Sequence, residues 1–139
     1  MIEINYWAII IVTILQFVVS AFWYGPYLFG KTWMKLAGVH DLDPQKIKAM
    51  QKAMFPAYLI QFVIAFFTNF VLFYFIKLIP DHGSMDVSLW AWAGFVVMTI
   101  AGGALWKTGS NDTKWKKFLI PAGNQLIGFI IAGYIFGMY

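Results

Sequence analysis

Three groups of residues in this chain are of types that do chemistry. From Gly25 to Thr32 the sequence reads Gly-Pro-Tyr-Leu-Phe-Gly-Lys-Thr, which satisfies the phosphate-loop pattern G-x-x-x-x-G-K-[ST]. A working phosphate loop follows a strand, opens a helix and turns a run of unobstructed backbone amides toward phosphate. Here the pattern follows a long apolar run, Pro26 has no amide hydrogen, and Tyr27, Leu28 and Phe29 crowd the interior. The stretch therefore reads as a turn where a helix leaves the membrane, and no nucleotide is expected to bind it.

His40, Asp41 and Asp43 form the second group, a faint cation site. A metal needs converging imidazole, thiolate or carboxylate ligands. Asp43 precedes Pro44, the arrangement of a helix N-cap followed by the first helical residue. His40 and His82 are predicted on opposite membrane faces, no span contains a histidine, and the chain has no cysteine. No metal, haem or other cofactor is expected.

The third group is neutral. Gln16, Ser20, Gln61, Asn69, Thr99, Asn124 and Gln125 interrupt apolar runs. Gln16, Asn69 and Thr99 are predicted near the midplane, with Ser20, Gln61, Asn124 and Gln125 together in the cytoplasmic third. Such groups can line a path or pocket for a small solute. They can equally hydrogen-bond between helices, each contributing about 0.6 to 2 kcal/mol. No ionisable side chain falls in the interior of a span, which removes the usual mark of coupled transport. With no activated nucleophile or acid–base pair, no catalytic residue is assigned and no enzymatic activity is expected.

The elements that must hold these residues follow from composition. The chain of 139 residues is 61% hydrophobic and 20% aromatic with only 12% charged residues, far from the soluble norm. Its charges cluster between four apolar runs, each near the roughly 20 residues that cross a hydrocarbon core. Backbone polar groups in lipid must be paired within the segment, so these runs are helices. The predicted fold is an all-α membrane protein forming one integral membrane domain over residues 1–139, with spans at about 6–24, 55–79, 87–106 and 118–138. An interfacial amphipathic helix is expected at about 44–54, with Ile47, Met50 and Met54 on one side and Gln45, Lys48 and Lys52 on the other. Packing of this helix against its own bundle is the alternative.

Nine of the ten lysines lie in the loops after the first and third spans, and Lys77 alone lies on the other side. The positive-inside rule makes the lysine-rich side cytoplasmic and puts both termini outside. All seven tryptophans are expected at span ends, where amphipathic rings prefer the interface. Trp23, Tyr24, Lys31, Trp33, Lys35 and Lys46 are accordingly assigned to lipid headgroups. The basic charge is explained by topology, so nucleic acid is not an expected partner. Gly102 and Gly103 in the third span, and Gly128, Gly133 and Gly137 in the fourth, are candidate positions for close helix packing.

The halves echo each other. Ser20-Ala21-Phe22-Trp23 matches Gly103-Ala104-Leu105-Trp106, and Pro56-Ala57 with Gln61 matches Pro121-Ala122 with Gln125. Two repeated hairpins would be related by an axis along the membrane normal. Chance likeness between apolar hairpins is the alternative.

Trp23-Tyr24-Gly25-Pro26 with Phe29-Gly30 and Trp33-Met34, together with Phe118-Leu119-Ile120 running into Ala122-Gly123-Asn124-Gln125-Leu126, resemble the bacterial family called domain of unknown function 1761. The resemblance covers nearly the whole chain. It implies a four-helix inner-membrane protein and supplies no activity. Pro121 departs from the family pattern and leaves the start of the fourth helix open.

Two functional expectations follow. One is an oligomeric channel or passive transporter for a small solute, which requires a homo-oligomer because four helices rarely enclose a pathway. The other is a structural subunit that binds partners or membrane lipid without transport. The first predicts a continuous polar lumen, the second a dry core.

Overall fold

Asn5 starts the first apolar run as a helix: its side-chain oxygen accepts from the Ala8 amide at 3.1 Å, pairing one of the donors a helix start leaves free. In the computed structural model, which describes residues 1–139, six helices follow in order. They are α1 Tyr6–Trp23, α2 Gly30–Leu36, α3 Pro44–Ala53, α4 Phe55–Leu78, α5 Ser84–Leu105 and α6 Asn111–Phe136. Four of them, α1, α4, α5 and α6, have 18, 24, 22 and 26 residues and are long and apolar enough to cross a membrane. The chain is all-helical and multi-span. Each boundary has a local cause. Asp43 accepts from the Gln45 amide at 3.1 Å ahead of Pro44. Pro56 restarts the chain as α4 immediately after α3.

The observed elements correct four expectations. First, α6 begins at Asn111 rather than near Phe118, so the basic loop shrinks to Lys107–Ser110 and Pro121 lies inside a helix. Ser110 caps it by accepting from Thr113, and an Asp112–Lys116 ion pair at 3.0 Å, one turn apart, supports its exposed start. Second, α5 starts at Ser84, a turn before Val87, because the chain after Gly83 is already helical. Third, a short helix, Gly30–Leu36, begins within the stretch that the sequence reads as a turn. Fourth, α5 carries a wide π-turn over Trp92–Val97, and Trp92 stands inside the span rather than at its end. A π-turn inserts an extra residue into the helical ladder and shifts the faces on either side of it.

Helix α6 is the centre of the bundle, flanked by α1 and α5, with α4 against α1. Helix α4 meets α5 along Ser84–Ala91, next to the turn that joins them. The apolar core gathers at that end: Ile9, Val12, Leu72, Phe73, Phe129 and Phe136 are buried together. Phe73 meets Phe136 edge-on at a centroid distance of 5.1 Å. Only 20 of the 139 residues are buried, and large apolar side chains such as Trp7, Phe22, Phe67 and Trp90 face outward. That surface would aggregate in water, and it is the surface a bilayer solvates.

Candidate functional site

Polar side chains meet in three layers along the α1–α6 seam. In the deepest layer Asn69, 1% exposed, projects from α4. Its Nδ2 donates to Gln16 Oε1 at 2.8 Å and to Thr13 Oγ1 at 3.0 Å. Gln16 Nε2 donates back to Asn69 Oδ1 at 3.2 Å and to the Gly128 carbonyl at 2.9 Å. Thr13 Oγ1 in turn donates to the Ile9 carbonyl at 2.8 Å. The two amides thus exchange hydrogen bonds, and glycine at 128 leaves them room, since a Cβ there would press on Gln16 at 3.2 Å.

One turn along α1, Ser20 and Asn124 pair. Asn124 Nδ2 lies 3.0 Å from Ser20 Oγ, and Ser20 Oγ lies 3.2 Å from Asn124 Oδ1. In the third layer Trp23 Nε1 donates to the Ile120 carbonyl at 2.8 Å, and its ring covers Gly123, where a Cβ would lie 2.8 Å from Cζ2. The contacts 16–128, 20–124 and 23–120 advance along α1 as they retreat along α6, the signature of an antiparallel pair. From the other flank Trp92 Nε1 donates to the Ala122 carbonyl at 3.1 Å, and the buried Ser88 Oγ donates to the Phe129 carbonyl. Two indoles therefore grip the carbonyls on either side of Pro121. A proline inside a helix removes one ladder hydrogen bond, and these two donors tie α6 to α1 and to α5 beside that gap.

The predicted site residues separate under this geometry. Gln16 and Asn69 come together, as do Ser20 and Asn124. Thr99 joins neither: it is exposed, and its Oγ1 donates to Phe95 of its own helix at 2.6 Å. Gln61 is exposed and Gln125 half-buried, and neither side chain has a hydrogen-bond partner in the chain. Thr13, Ser88 and Trp92 were not singled out. The Ser88–Trp92 spacing of one helical turn was the available signal, since both face α6. No buried side-chain nitrogen or oxygen is left without a partner.

The glycine assignments also divide. Gly133 abuts Ser88 and Met85, where a Cβ would come within 2.9 Å, and Gly137 abuts Ser84. These glycines pack helices within the chain. Gly102 and Gly103 have no atom within 4 Å of a Cβ position, so they pack nothing within it. The assumed repeat is used unequally as well: Trp23 is tied to α6, whereas its counterpart Trp106 is 91% exposed.

At the lysine-rich end, Tyr24 and Trp33 rings lie 5.3 Å apart, while Lys31, Lys35 and Lys46 are exposed. Trp23, assigned from sequence to the lipid interface, also joins α1 to α6. In the phosphate-loop stretch three amides are already occupied: Leu28 and Gly30 donate to the Gly25 carbonyl at 3.3 and 2.9 Å, and Phe29 to that of Trp23 at 3.0 Å. His40 Nε2 lies 3.1 Å from Asp41 Oδ2 on the surface while Asp43 caps α3.

Two connected apolar grooves, of about 540 and 630 Å³, run between α4 and α5 and share Phe75, Ala91 and Phe95. They open to the lipid side. One ends beside His82 and Asp86, the other at Val63 and Ile64 over Phe129.

A family profile described as "Protein of unknown function (DUF1761)" matches residues 7–137. No curated protein and no solved structure matches the chain.

Proposed function

Because the chain belongs to the DUF1761 family, which carries no assigned activity, its role must be argued from geometry, and we propose that it is a non-catalytic membrane interaction subunit. It presents a rigid, closed four-span body to another membrane component. The observation that carries this reading is the closure of its polar interior: the amides and hydroxyls between α1, α4 and α6 are hydrogen-bonded to one another or to backbone. A solute path needs free donors and acceptors in series, and none remain along this seam. The exposed lysines of α2 and α3 and of the start of α6 fit contact with lipid phosphates, on the side that positive-inside reasoning makes cytoplasmic in a bacterial inner membrane.

The test is flux in proteoliposomes. Purified protein should leave small neutral and ionic solutes as impermeant as protein-free liposomes do, and cross-linking in native membranes should trap a bound macromolecule. Saturable flux abolished by Gln16→Leu in a protein that still folds would overturn the proposal in favour of a channel. That second reading draws on Gln61, Thr99 and Gln125, which lie outside the closed network and could line a lumen only between copies.

A further inference from the structure

Resting on the interaction reading, we propose that the bound component is a second copy of this chain, seated on the open side between α4 and α5. Gln61 and Gln125 supply the hydrogen bonds of that interface.

The argument begins with depth. Phe62, next to Gln61, packs edge-on against Phe17 of α1 at 5.3 Å, and Asn124, next to Gln125, pairs with Ser20. Phe17 and Ser20 are both at least one turn inside the Trp23–Tyr24 end of α1, so both glutamines lie at one level within the hydrocarbon. Both also border the same open side. Gln61 is one turn from Ile64 and two from Thr68 on α4, and Gln125 is one turn from Phe129 on α6; Ile64, Thr68 and Phe129 line the groove. The apolar groove thus ends, toward the lysine-rich side, at two amides.

Of the Asn, Gln, Ser and Thr side chains in the interior of the spans, these two alone lack a partner. Thr68 and Thr99 satisfy their hydroxyls on Ile64 and Phe95 of their own helices, and the others are paired between helices. An amide left unpaired in hydrocarbon is strongly unfavourable. Acyl chains offer neither donor nor acceptor. A second Gln61 across a two-fold axis offers both, in the same exchange that Gln16 and Asn69 make inside the chain. Gly102 and Gly103, one turn beyond Thr99 with open space where a Cβ would stand, leave room for the partner's backbone.

The absence of cysteine makes the test clean. Single cysteines replace Gln61, Ile64 or Thr99 on the open side, or Val18 on the outward face of α1, and native membranes are oxidised with copper phenanthroline. The three open-side variants should give a disulfide-linked dimer and Val18→Cys should not. Subunit counting in bilayers should show Gln61→Leu and Gln125→Leu each weakening dimerisation by roughly 3- to 30-fold. Neither should lower the unfolding temperature of the monomer, because neither breaks a bond within the chain. Dimers cross-linked equally through Val18, or undiminished dimerisation in both leucine variants, would overturn the assignment. Monomers retaining lipid or a different protein in the cleft would overturn the second copy alone and leave the interaction reading standing. Monomers that conduct solute would overturn both.

Discussion

Gln16 and Asn69 exchange amide hydrogen bonds across α1 and α4 at 2.8 and 3.2 Å, and Gln16 extends the link to the Gly128 carbonyl on α6. One pair of side chains therefore ties three helices, 53 residues apart along the chain in the first step and 112 in the second. Asn69→Leu should destabilise the bundle by about 1–3 kcal/mol, because it strands the Gln16 and Thr13 partners. The double variant Gln16→Leu/Asn69→Leu should lose less than the sum of the singles. Denaturant unfolding in micelles, analysed as a double-mutant cycle, measures the coupling, and strict additivity would count against the exchange.

Trp23 and Trp92 should matter for how α6 is held around Pro121. Replacing either with Phe keeps an aromatic ring and deletes one indole donor, at a cost of about 0.6–2 kcal/mol. Trp106→Phe should be silent, since that ring is exposed. Thermal unfolding of the three variants, followed by helical circular dichroism, orders them.

The glycines of the last two spans should respond in opposite ways. Gly133→Ala places a Cβ within 2.9 Å of Ser88 and within 3.1 Å of the Met85 backbone, so α5 and α6 must separate and stability falls. Gly102→Ala meets nothing and gains helix propensity of up to about 1 kcal/mol in the monomer. Comparing unfolding midpoints in dilute detergent, where monomers dominate, tests both signs.

Orientation can be read with reporters. With the lysine-rich end cytoplasmic, alkaline phosphatase fused after Tyr139 should be active and a green fluorescent protein there should be dark. The opposite result would place the lysines outside and would remove the lipid-phosphate role of Lys31, Lys35 and Lys46.

Much of this architecture was legible in the sequence for a simple reason. A helix in lipid must satisfy its own backbone, so length and apolarity alone define a span, and Tyr6–Trp23 and Phe55–Leu78 fall within a residue of their expected limits. Boundaries slipped where a local cap outweighed hydropathy, as when Ser110 started α6 ahead of its lysines. The polar residues were equally visible by type. What their types could not reveal was which ones would meet, because partner choice depends on helix rotation and the antiparallel register of α1 and α6. Sequence thus determined the spans and the scarcity of charge within them. Only the tertiary structure decided that Gln16, Ser20, Asn69 and Asn124 close on one another while Gln61 and Gln125 remain open. The physical reason is that hydrocarbon makes every helix but supplies no hydrogen bonds, so the packing of one helix on another determines where each amide is satisfied.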